Sequence, residues 1–166
     1  MRYLLLYLLL INTPVFAVDI SLSEVRILYQ KSAFEEASCK KLIYLIQNNT
    51  QPNNHTLVAY KACATMMMAK YIFNPFKKLS TFYKGKKMLE NSLGSSKDNI
   101  EITFLRFTVQ SNSPSFLGYQ SSIINDKIYL LNSIDNLKDS QLKEIIINYL
   151  KTSDRLSLTE KKYLRS

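Results

Sequence analysis

Apolar residues recur along most of this chain at the three- and four-residue spacing that is typical of amphipathic helices. The cleanest stripe is made by Leu142, Ile145, Ile146, Tyr149 and Leu150. The pattern predicts helices over residues 22–47, 56–73, 75–93, 99–110, 121–134 and 141–151, with a short last helix over 159–165. We favour one continuous helix over 22–47, because neither Gly nor Pro interrupts that segment.

Two helix starts carry clear capping signals. Ser21 and Glu24 form a capping box before the first helix, and Asn74 is a suitable cap for a helix that begins at Pro75. Gly94 falls at the predicted end of that helix. Six of its apolar residues fall on one face: Phe76, Leu79, Phe82, Tyr83, Leu89 and Leu93.

The segment over 99–110 carries apolar residues on two sides. One side has Ile100, Phe104 and Phe107, and the roughly opposite side has Ile102, Leu105 and Val109. A helix with two apolar faces is expected to lie between two other helices, as in the interior of a stacked helical array.

These patterns predict an all-α fold in a single domain over residues 18–166. Gly and Pro are scarce, with three and four copies, whereas a sheet protein of this size needs more turn residues. The helices form antiparallel pairs in units of roughly 40 residues, which predicts a short tetratricopeptide-like solenoid. The alternative is an irregular bundle of four to six helices.

The first 17 residues have the pattern of a secretory signal peptide. A positive start at Arg2 precedes an unbroken apolar run over residues 3–11, and Val15 and Ala17 stand where a signal peptidase reads. The run is too short to span a bilayer, which needs about 20 apolar residues. No cysteine follows Ala17 directly, so the sequence predicts export to the periplasm or the medium without a lipid anchor.

Several strings of the chain resemble a family of small secreted proteins of Bacteroidota. One string contains three consecutive Met residues followed by Asn74-Pro75-Phe76, and the matching strings cover residues 64–79, 85–89, 101–110 and 114–119. The resemblance extends over most of the chain after the signal peptide. It implies an exported tetratricopeptide-like protein and no particular activity.

The chain is strongly basic, with a net charge of +9. Between Lys61 and Lys97 there are eight lysines and a single acid, Glu90. On the helix that begins at Pro75, three of these lysines project within an arc of about 80°, with Lys78 nearby: Lys77, Lys84 and Lys87. This basic stripe predicts a protein or peptide partner with an acidic surface, or an anionic membrane surface. Export argues against nucleic acid.

Four polar residues lie in the most apolar part of the chain: Glu101, Arg106, Tyr119 and Asp126. Buried charges have to be paired, so we interpret these residues as a structural network. The alternative is ligand recognition in a groove, or a cell-envelope hydrolase in which Glu101, Asp126 and Asp135 converge. His55 is the only histidine, so a multi-histidine metal site is excluded, and we expect neither catalysis nor a cofactor.

Cys39 and Cys63 are the only cysteines. In an antiparallel hairpin whose loop is centred near residues 51–52, the two cysteines lie at the same level. The sequence therefore predicts that they are buried near each other, either as a disulfide, which an exported protein can form, or as a packing contact.

Overall fold

The computed structural model describes residues 19–51 and 53–164, and these residues form an all-α fold without strands. In this part of the chain the helices are α1 (Leu22–Ser32), α2 (Glu36–Gln47), α3 (His55–Met68), α4 (Pro75–Ser95), α5 (Ile100–Asn112), α6 (Ile123–Ser133), α7 (Ser140–Thr152) and α8 (Leu158–Tyr163). The predicted fold class is confirmed. The predicted signal peptide lies outside the described residues.

The structure confirms the predicted capping at two helix starts. At the start of α1, the Ser21 hydroxyl accepts a hydrogen bond from the backbone N–H of Glu24, and the Glu24 carboxylate accepts one from the backbone N–H of Ser21. The Asn74 side chain accepts a hydrogen bond from the backbone N–H of Lys77, and Pro75 is the first residue of α4. These ends are fixed by local hydrogen bonds.

The prediction of one continuous helix over 22–47 is wrong. α1 ends at Ser32, and α2 begins after Glu35, whose backbone is extended. A continuous helix of 26 residues would be about 39 Å long, too long for both of its ends to reach one core. The break brings Val25 of α1 and Leu42 of α2 into the same apolar cluster.

Each helix from α1 to α5 contacts the next one along the chain. This sequential packing is required by the solenoid and by the irregular bundle alike, so the solenoid stays a prediction. The α-helical part of the segment predicted over 56–73 ends at Met68, and a 3-10 turn over Ala69–Tyr71 leads towards α4. α3 and α4 pack tightly against each other at Gly85.

Within the described part of the chain, the apolar interior forms two clusters that meet at α5. Ile102 and Leu105 belong to the cluster formed with α1 to α4, whereas Phe104 and Phe107 belong to the cluster formed with α6 and α7. The structure therefore confirms the prediction that this helix lies between others. α5 connects the N-terminal and C-terminal parts of the fold.

Gly85 allows α3 and α4 to approach each other closely. A Cβ atom added at this buried glycine would lie 2.6 Å from Met66 Cγ and 2.7 Å from the carbonyl oxygen of Ala62. The carbonyl belongs to the backbone of α3, so it cannot move away without shifting the helix. Gly94, near the end of the same helix, has no atom within 4 Å of such a Cβ.

We predict opposite effects of alanine at these two glycines. Gly85→Ala should lower the free energy of unfolding by about 1–3 kcal/mol, because it forces apart a packed helix pair. Gly94→Ala should leave it unchanged or raise it by up to about 1 kcal/mol, because alanine favours the helix. Urea denaturation of both variants measures the difference. Equal free energies for the two variants would contradict the close packing at Gly85.

Candidate functional site

Glu101 lies in a buried cluster with an arginine that the sequence analysis did not identify. The Glu101 carboxylate accepts hydrogen bonds from Arg26 Nε at 2.7 Å and Nη2 at 2.9 Å, and from the Tyr60 hydroxyl at 2.7 Å. All three side chains are buried. Arg26 also donates to Asp139 at 2.8 Å and to Gln141 at 2.9 Å, so the cluster joins α1, α3, α5 and α7.

Arg106, Asp126 and Tyr119 lie in a second cluster. Arg106 donates to both carboxylate oxygens of Asp126, at 2.8 Å and 2.6 Å, and to Glu90 at 2.9 Å. The Tyr119 hydroxyl donates to the other oxygen of Glu90. This cluster joins α4, α5, α6 and the segment between α5 and α6.

The four polar residues of the sequence analysis are thus divided between two clusters. Glu101 and Arg106 are five residues apart on α5, which rotates their side chains by about 140° relative to each other. Arg26, Tyr60 and Glu90 were not predicted as members of the polar network. A signal for Arg26 does exist, since it is the one charged residue in an otherwise apolar stretch of α1 that includes Val25 and Ile27.

The electrostatics of both clusters favour a structural role. Hydrogen bonds to Glu101 raise the pKa of Arg26, and the hydrogen bond from Arg26 lowers the pKa of Asp139. Burial raises the pKa of Tyr60, and burial together with Glu90 raises that of Tyr119. These shifts move the groups away from neutral pH, whereas general acid–base catalysis needs groups that titrate near it.

The three carboxylates considered for a hydrolase have separate partners. Glu101 is bound by Arg26, Asp126 by Arg106, and Asp135 accepts a hydrogen bond from the Tyr163 hydroxyl. A polar cleft of about 440 Å³ lies beside the C-terminal ends of α5 and α7, and its lining includes Tyr149 and Arg155 but none of the three carboxylates. Their arrangement offers no pair of acids facing a substrate.

The cysteines are free thiols, and both are buried. The Cys39 thiol donates to the carbonyl oxygen of Ser32 at 3.3 Å, across the break between α1 and α2. Burial raises the pKa of Cys39, and it raises the pKa of Cys63 to about 12. A thiol with so high a pKa carries little thiolate at neutral pH and reacts slowly.

The lysines of the basic stripe are all exposed. Lys77, Lys78, Lys84 and Lys87 form no ion pair within residues 19–51 and 53–164, whereas elsewhere Lys40 pairs with an acid at 2.7 Å. Every residue over 73–80 is exposed, so the first turns of α4 project beyond the neighbouring helices. The positive charge of the stripe is therefore not neutralised by the fold.

The apolar face predicted for α4 is only partly buried, which corrects the sequence analysis. Phe82 and Leu89 are buried with Gly85, but Phe76, Leu79 and Tyr83 are exposed. By helical geometry the three exposed residues are centred about 130° from the buried face. The apolar side of α4 is wider than the surface that α3 and α5 cover. The part that they leave uncovered carries Phe76, Leu79 and Tyr83.

Comparisons with known proteins give no assignment. No protein-family model, curated protein or solved structure matches the chain. Across the described residues, no helix combines the length and the apolarity that a membrane span requires. In the same part of the chain, no group of three or more His, Cys, Asp or Glu side chains has the arrangement of a metal site. The function has to be argued from the residues themselves.

We predict that Glu101→Gln destabilises the protein by up to about 3–5 kcal/mol, because it leaves the buried guanidinium of Arg26 with only the partly exposed Asp139 as a counter-charge. The control is Glu36→Gln, which breaks the exposed ion pair with Lys40 and should cost less than about 1 kcal/mol. Chemical denaturation of both variants gives the two values. A loss below 1 kcal/mol for Glu101→Gln would contradict the structural importance of the cluster.

We predict two reactive thiols per chain when the protein is unfolded without a reductant, because both cysteines are free. In the folded protein the modification of Cys63 should be much slower, since its raised pKa keeps it protonated and its burial excludes the reagent. A chromogenic thiol reagent with and without denaturant measures both. Absence of any thiol signal after unfolding would indicate the disulfide instead.

Proposed function

We propose that this chain is an exported, non-catalytic helical adaptor that binds a protein or peptide with an acidic surface. The observation that carries the proposal is the basic stripe of Lys77, Lys78, Lys84 and Lys87, which is exposed along α4 and forms no ion pair with the residues that the structure describes. Export is inferred from the signal-peptide pattern of residues 1–17.

The charge pattern supports an acidic partner. The chain carries a net charge of +9, and the segment from Lys61 to Lys97 holds eight lysines against Glu90 alone. Glu90 itself accepts hydrogen bonds from Arg106 and Tyr119, so it does not neutralise the stripe. Unpaired charges of one sign attract a partner of the opposite sign over about 10 Å at ordinary salt, and they speed its association.

The polar clusters support binding without catalysis. Glu101 and Asp126 are each held by an arginine inside the fold, so neither carboxylate is free to act on a substrate. The lysines are point charges on flexible chains, which suit the recognition of a charged surface more than the shaped recognition of a small molecule.

An anionic membrane surface is the second candidate. Phe73 and Phe76 are 103% and 84% exposed beside the lysines, and exposed aromatic rings next to lysines also suit a lipid interface. Binding to vesicles that contain anionic lipid, compared with neutral vesicles, distinguishes this candidate from a protein partner.

We predict that the triple variant Lys77→Glu, Lys84→Glu, Lys87→Glu loses the capture of its partner from a cell-envelope extract at low salt. The loss should be at least about tenfold, because the variant replaces attraction by repulsion. Thermal unfolding should change by only a few degrees, because exposed charges contribute little to stability.

The control has the same change in charge at three exposed and scattered lysines: Lys31→Glu, Lys138→Glu and Lys162→Glu. This variant should keep most of the capture. Equal loss in both variants would attribute binding to net charge rather than to the stripe. Capture that survives the stripe variant and high salt would make the stripe an ordinary solvated face.

A further inference from the structure

An exposed apolar strip runs along α4 beside the basic stripe. The strip consists of Phe76, Leu79 and Tyr83, which are 84%, 41% and 42% exposed. Their spacing of three and four residues places them in one row along the helix, over about 10 Å. Phe73, which precedes the N-cap residue Asn74, is also fully exposed.

The fold does not account for this strip. α4 already buries Phe82 and Leu89 against the rest of the protein, and the close approach at Gly85 fixes which side faces α3. Leucine and phenylalanine in a regular exposed row are unusual on a solvated surface, because contiguous apolar patches mark interaction sites. The row therefore indicates that a partner covers it.

Lysines border the strip on both sides. Lys77, Lys84 and Lys87 follow one side. The half-buried Lys86 lies on the other side, with its Nζ 5.7 Å from the centre of the Tyr83 ring and 4.7 Å from that of Tyr119. A second copy of this chain is a poor occupant, because two such surfaces would bring their lysines together. The occupant has to be apolar in the middle and acidic at its edges.

The shape of the strip favours a helix as the occupant. The strip is one side chain wide and covers an arc of about 60° on α4, and its i, i+3, i+7 spacing is that of the narrow seam along which two single helices pack. A helix that lies in a membrane interface presents a broader apolar face. α4 has no such breadth, because its buried face belongs to the core.

We propose that α4 docks an amphipathic helix of the partner, with an apolar row flanked by Asp or Glu on both sides. The proposal rests on the proposed function and specifies the form of the acidic partner. The partner's apolar row packs on Phe76, Leu79 and Tyr83, and its acidic residues face the bordering lysines. To cover about 10 Å, the partner needs at least about two helical turns.

Two synthetic peptides of about 18 residues and identical Leu, Glu and Ala content test the proposal. In one peptide the Leu residues recur at helical spacing, and in the other they are distributed around the helix. The purified protein should bind the amphipathic peptide at least about tenfold more tightly, as measured by fluorescence anisotropy, because only that peptide aligns its apolar row with the strip.

The double variant Phe76→Ser, Leu79→Ser should abolish the preference for the amphipathic peptide. Its matched control is Phe116→Ser, Leu158→Ser, which removes two apolar side chains that are each 81% exposed elsewhere on the surface. The control should keep the preference, and circular dichroism should give the same helix content for both variants.

Other outcomes would overturn this proposal in distinguishable ways. Equal affinity for both peptides, lost on reversal of Lys77, Lys84 and Lys87, would leave an acidic partner but remove the helical one. If neither peptide binds, but the Lys77, Lys84 and Lys87 reversals still abolish capture from extract, the partner is acidic but is not such a helix. Binding to anionic vesicles that exceeds peptide binding and is lost in Phe76→Ser, Leu79→Ser would assign the strip to lipid.

Discussion

Helix α5 buries apolar side chains on two sides, and the arrangement of the other helices follows from that requirement. Ile102 and Leu105 face one core, and Phe104 and Phe107 face the other. Apolar burial is the dominant favourable contribution to folding, so each side of α5 needs its own set of covering helices. The N-terminal and C-terminal helices cannot separate without exposing one side of α5 to water.

The polar clusters reinforce the same connection. Arg26 of α1 reaches Glu101 of α5 and Asp139 before α7, and Arg106 of α5 reaches α4 and α6. Charges in such positions are tolerated because every one of them has a partner of opposite sign. The same pairing gives Glu101 and Asp126 partners inside the fold, as expected of structural charges.

The proposed function rests on the surface of α4, because the neighbouring helices leave part of this helix uncovered. Close contact with α3 at Gly85 holds its middle in the fold, while the residues over 73–80 project into solvent. Along α4, exposed lysines and an exposed apolar row lie next to each other. A stable core with a basic and apolar projecting helix is a suitable arrangement for an adaptor, because binding does not disturb the interior.

The sequence by itself determined the helices, the cap at Asn74, the two-sided burial of α5 and the basic stripe, because these features depend on spacing within one helix. Tertiary structure decided the break between α1 and α2, the separate partners of Glu101 and Arg106, and the exposure of Phe76. Each of these depends on what lies beside a helix. A periodic pattern gives the direction of a side chain but not the neighbour that it meets, and that neighbour is set by packing between distant segments.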